Sequence, residues 1–155
     1  MRMKKTLLPG IAAGLLWICI LPCFAQDKGY WRAANSTAHS ITGDIAITDF
    51  KLSINYYPFT IAQIRELKPA EAAAAFDTAS HPGGDGYLYR TDVPAAKQFL
   101  HKNTLCGTDE TKWMATYAVG NDLQVAFFSG TATPVLTADA LANTTSLCGV
   151  YTYTR

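Results

Sequence analysis

Between residues 113 and 129 the chain spells out a hairpin. The run WMATYAV is followed by Gly120-Asn121, and LQVAFFS follows Asp122. Two apolar, aromatic and β-branched runs flank a two-residue turn of the kind that matches the twist of paired strands. The rest of the chain follows the same rule. Apolar residues recur mostly with period two, and turn residues break the pattern at short intervals, which is the sign of an antiparallel sheet.

Residues 29–35 (GYWRAAN) open this pattern as an expected strand. Residues 41–48 alternate, with Ile41, Gly43, Ile45 and Ile47 on one face, and Asp49-Phe50 turns the chain. Residues 51–57 alternate again until Pro58, which cannot donate to a ladder and is expected to interrupt it. Residues 59–67 resume, but Ile64 is out of phase with Phe59 and Ile61, so a bulge or bend is expected there. Residues 71–76 (EAAAAF) are evenly poised. Four alanines after Pro69 favour a helix, while the neighbouring strands favour another strand. Residues 80–86 (SHPGGDG) form a loop, and residues 87–90 a short strand. A short helix is expected from Asp92 as N-cap, with Pro94 in its first turn, to about Lys102; loop follows over 103–110. Thr137 caps a second short helix over 138–142, and residues 149–154 (GVYTYT) form the last strand. Eight or nine short strands with one or two minor helices make the fold mainly β. The expected architecture is a small antiparallel β-barrel, because closure removes the sheet edges; a two-sheet β-sandwich is the alternative.

Residues 1–25 read as a cleaved secretory signal peptide. Arg2, Lys4 and Lys5 precede an apolar run over residues 11–21, and Ala25 stands before polar Gln26-Asp27. That run is shorter than the ~20 apolar residues a bilayer span requires. Lipidation at Cys23 is the rival reading, but Pro22 precedes it where a small residue is wanted. Residues 26–155 then form one extracytoplasmic domain, periplasmic or secreted. Removing the leader takes away three bases and no acid, leaving ten bases against twelve acids. No basic run and no basic amphipathic helix remains, so neither nucleic acid nor membrane insertion is expected.

Cys106 and Cys148 are the cysteines left after the leader, an even pair in an oxidising compartment, and a disulfide between them is expected. It would close a loop of about 43 residues and contribute ~4 kcal/mol in the chain-entropy model.

Gly29-x-Trp31 in the first strand resembles the G-x-W signature of lipocalins and of small exported bacterial inhibitor barrels. The resemblance implies that Trp31 closes one end of the barrel and that an arginine from a late strand, Arg155 or Arg90, packs over it. The two Leu-Cys-Gly tripeptides, at 105–107 and 147–149, are similar to segments of small exported bacterial proteins and imply architecture only.

No sequence pattern carries catalytic chemistry. His39, His81 and His101 lie at no metal-ligand spacing, so no metal or other cofactor is expected. Ser129-Gly130 lacks the nucleophile elbow, and residues 83–86 (GGDG) lack the Lys-Ser/Thr of a phosphate loop. Glu66 with Glu71, and Asp109 with Glu110, are acid pairs of the kind solvated loops carry. Asn35-Ser36-Thr37 and Asn143-Thr144-Thr145 are sequons that matter only in a eukaryotic source.

Two functional classes survive. The first is a non-enzymatic binding module that contacts another extracytoplasmic protein, such as a hydrolase it inhibits. Tyr56, Tyr57 and Phe59 around Pro58, with Tyr87 and Tyr89 on one face, are its expected contact surface, since tyrosine is enriched at interfaces. The second is a carrier of a small apolar ligand in the barrel mouth. A filled interior favours the first and an enclosed space the second.

Overall fold

A computed structural model of the chain describes residues 26–155; the expected signal peptide lies outside them. The described residues form a closed, eight-stranded, antiparallel β-barrel with three short helices. In chain order these are β1 (Gly29–Ala33), α1 (Ser36–Ile41), β2 (Ile45–Ile47), β3 (Lys51–Ile54), β4 (Tyr57–Glu66), α2 (Pro69–Ala75), β5 (Asp85–Val93), β6 (Thr111–Val119), β7 (Asp122–Ser129), α3 (Ala138–Asn143) and β8 (Leu147–Thr154). Each strand pairs with the next, and β8 returns to β1 through Arg32 opposite Thr154 and Ala33 opposite Tyr153. The hairpin of β6 and β7 turns at Gly120, whose φ is +56°.

Alternation directs one side chain in two to the interior. Trp31, Ile45, Ile47, Leu52, Ile54, Ile61, Tyr89, Val125, Phe127, Tyr151 and Tyr153 fill it, all buried. The wall formed by β5 to β7 is also buried on its outer side. There Leu88, Trp113, Tyr117 and Phe128 meet Ala72 and Phe76 of the α2 segment and Leu136 before α3, a second core outside the barrel. This is why β7 reads as a continuous apolar run: both of its faces are covered.

Several expectations change. Ile41 does not belong to a strand. Asn35 caps α1, its Oδ1 accepting from the Ala38 N–H, and Gly43, at φ +61°, takes the chain out of the helix. Only Ile45–Ile47 pairs. The strand expected over 51–57 ends at Ile54, and Asn55-Tyr56 is the turn. Pro58 lies inside β4, opposite Ser53. Ladder bonds to β3 fall on the alternate residues, as the Ile61 N–H bonded to the Phe50 carbonyl shows, and β5 joins β4 only from Ile61 onward. Proline therefore forfeits no bond at this position. The register shift between Gln63 and Arg65 is the bulge expected at Ile64.

Residues 71–76 resolve toward helix. Pro69 opens α2, and Glu71 accepts from the Lys68 N–H while its two oxygens take a fork from Arg65 at 2.6 and 2.8 Å. The helix expected over 92–102 is absent. β5 runs on to Val93, Asp92 pairs with Lys112 instead of capping, and Leu100–Lys102 makes only a tight turn in which His101 and Lys102 take left-handed backbone. Val93 and Phe99 are drawn into the barrel core, and between them the chain makes a turn closed by the Lys97 N–H on the Pro94 carbonyl.

Candidate binding surface

One end of the barrel is built by the segment that precedes β1. Asp27 is fully buried there, and its Oδ2 accepts hydrogen bonds from the Tyr89 hydroxyl (2.7 Å) and the Thr116 hydroxyl (2.8 Å). Lys28 Nζ donates to the same tyrosine oxygen (3.0 Å) and lies over its ring. Burial, and then the neighbouring Asp27 charge, push the Tyr89 hydroxyl far above the ordinary tyrosine range. The Trp31 indole N–H donates to the Asp27 carbonyl (2.9 Å), and Arg155 stands over the indole ring at 4.3 Å. The same guanidinium donates to the carbonyls of Gln26, Lys28 and Gly120. Of the two arginines considered for this place, Arg155 covers Trp31, and Arg90 stacks on Trp113 on the outer wall at 4.8 Å.

Tyr87 and Tyr89 do share a face, as alternation requires, but it is the interior one. They are not a contact surface. Phe59 also turns inward, its ring edge-on to Phe99 at 5.9 Å. Tyr57 is half-exposed at the opposite barrel mouth, beneath Lys97. Only Tyr56 of the expected group projects freely; it is 94% exposed.

Tyr56 sits at the tip of the β3–β4 hairpin with φ +68°, after Asn55 at +47°. Two consecutive left-handed residues make the mirror-image turn that hairpins prefer, in which Asn-Gly is the favoured pair. A bulky side chain in that conformation costs about 1–2 kcal/mol that glycine would not. Beside it, Tyr30 is 55% exposed on the outer face of β1. The ladder sets Tyr30, Ala46 and Ser53 in one row across β1, β2 and β3. Two small residues therefore form the floor of a cleft walled by Tyr30 and Tyr56, with a volume of ≈ 530 Å³. Asp44 stands at its margin. Its Oδ1 accepts from the Ala33 N–H and its Oδ2 from the Tyr30 hydroxyl. The Tyr30 bond, then the backbone bond, lower the Asp44 pKa, and the same bond raises that of Tyr30. Sequence reasoning missed Tyr30 and Asp44, because they meet only through strand pairing. The one local signal was a bulky residue after Asn55, where a tight hairpin wants glycine.

The disulfide joins Cys106, in the β5–β6 connection, to Cys148 in β8, with Cα atoms 4.9 Å apart. One member of each acid pair is taken up by a base: Glu71 is held by Arg65, and Glu110 is paired with Lys112. His81 lies 3.6 Å from Asp122, and His101 contacts the Ser40 carbonyl. No three metal-ligating side chains converge among the described residues, and none of their helices is long and apolar enough to cross a membrane. Comparison of the chain with known proteins found no matching family model, no matching curated protein and no matching solved structure.

Proposed function

We propose that the protein is an exported, non-enzymatic binding module that engages an extracytoplasmic partner through the Tyr56 hairpin and the face beside it. The observation that carries this reading is Tyr56 itself, a large side chain that the fold exposes in a backbone conformation suited to glycine. A residue held against its conformational preference with no packing in return points to a role outside the fold. Inhibition of a hydrolase is the form this takes if the hairpin tip enters an enzyme's cleft.

The interior weighs against a carrier. Trp31, Tyr89, Phe127 and Tyr151 occupy the volume an apolar ligand would need, and the described cavities lie on the outer surface. The Cys106–Cys148 disulfide suits an oxidising compartment, which supports export. N-terminal sequencing of the native protein should find a chain starting at Gln26 or within a few residues of it; retention of Met1 would refute export. Binding is tested by capture from the native extracytoplasmic fraction with wild-type protein and with Tyr56→Gly as baits. A partner retained by the wild type and lost by the variant is expected. The same set of proteins and glycans on both baits would refute the reading.

A further inference from the structure

The cleft between Tyr30 and Tyr56 offers a particular mixture of chemistry. Its two walls are aromatic, and its floor is Ala46 and Ser53. The Ser53 hydroxyl and the Asn55 carboxamide make no hydrogen bond among the described residues and stay available. Asp44 uses one lone pair on each oxygen for Tyr30 and Ala33, and each oxygen can accept once more. The backbone of the floor is already paired in the β1–β2–β3 ladder, so an added strand finds no edge to join.

Taken together these features select among ligands. A carboxylate at the rim repels phosphates and other anions. A floor of alanine and serine gives no apolar depth for a lipid chain. The volume falls within the range of small-ligand sites, about 300–1,000 Å³. A pyranose ring matches what remains. Its C–H face is apolar and lies flat on an aromatic ring, while its rim of hydroxyls both donates and accepts. Asp44 and Asn55 accept from such hydroxyls, and Ser53 and Asn55 donate to them.

We infer that the Tyr30–Tyr56 cleft is a saccharide-binding site, taking one or two pyranose units of a glycan between the tyrosine walls. This rests on the proposed binding role of the Tyr56 face and names the chemistry it recognises. Tyr56 stacks on the sugar face, Tyr30 forms the opposite wall, and Asp44 reads a hydroxyl pair while the Tyr30 bond fixes its carboxylate.

The test is NMR titration of the purified protein with chitotriose, cellotriose and maltotriose. At least one should give saturable shifts confined to residues 30, 44–46 and 53–56, with a Kd of about micromolar to millimolar. Tyr56→Gly, whose fold should be as stable or more so, should weaken binding about tenfold or more, and Tyr56→Trp should restore it. No saturable shift with any of the three, shifts located elsewhere, or equal affinity in Tyr56→Gly would each overturn the inference. Partner capture that depends on Tyr56 while all three sugars fail to bind would overturn the saccharide assignment alone and leave the binding module standing.

Discussion

At the scale of single residues, Tyr56 and Trp31 make opposite predictions. Tyr56→Gly relieves the left-handed strain at +68° and should raise unfolding stability by up to about 1 kcal/mol in a denaturant titration, less the added freedom of the unfolded chain. A measured loss of stability would show that the ring supports the fold. Trp31 is fully buried and carries the Arg155 stack, so Trp31→Ala should cost about 3–5 kcal/mol. Tyr30 points the other way on the same strand, and Tyr30→Ala should cost clearly less; equal losses would contradict the inside–outside assignment of β1. The tyrosine pair at 87 and 89 shows where single-residue reading stops. Period two shows that the two rings share a face, but that it is the inner one follows from barrel closure and brings Tyr89 to Asp27, 62 residues away.

At the scale of elements, what was legible in the sequence was what is decided locally. The β6–β7 hairpin carries its own turn, and α3 its own cap, with Thr137 accepting from the Ala140 N–H. The helix expected from Asp92 failed because its determinants are distant: Lys112 claims the supposed cap, and the core claims Phe99. The segment α2 stood undecided between propensity and context until a charged contact with β4 settled it. That contact predicts a pH dependence. Arg65, first of all, and the Lys68 N–H hold the folded Glu71 pKa below the ordinary glutamate value. Its contribution is therefore complete above about pH 4.3, the unfolded value, and is lost as pH falls through the lower folded pKa. The pair is partly solvated, so the effect is about 0.5–1 kcal/mol. Stability curves of wild type and Glu71→Gln should differ by this amount at neutral pH and converge in acid; parallel curves would show that the Arg65 fork adds nothing.

Two tests address the whole molecule. Replacing both Cys106 and Cys148 with Ala should lower stability by about 2–5 kcal/mol, and free thiols in protein from its native compartment would contradict the bond. In alkali the barrel core itself becomes the weak point. Burial pushes the Tyr151 hydroxyl up to about 12, from 10.0. A folded value above the unfolded one leaves stability whole below pH 10 and erodes it as pH rises toward 12. Tyr151→Phe should lessen that decline when unfolding is followed by circular dichroism, the raised hydroxyls of Tyr89 and Tyr153 carrying the rest, while leaving neutral-pH stability nearly unchanged, because the hydroxyl it removes has no hydrogen-bond partner. Closure also has a consequence in time. The seam that shuts the barrel joins Arg32 to Thr154 and Ala33 to Tyr153. A chain delivered from its N-terminus presents Trp31 early, and the strand that shelters it arrives last. The β6–β7 hairpin can form as soon as it emerges, and β1 can pair with β2, but the second edge of β1 must wait for nearly the whole domain. Under the proposed export, that delay is useful: the seam cannot lock while half of the barrel is still on the other side of the membrane.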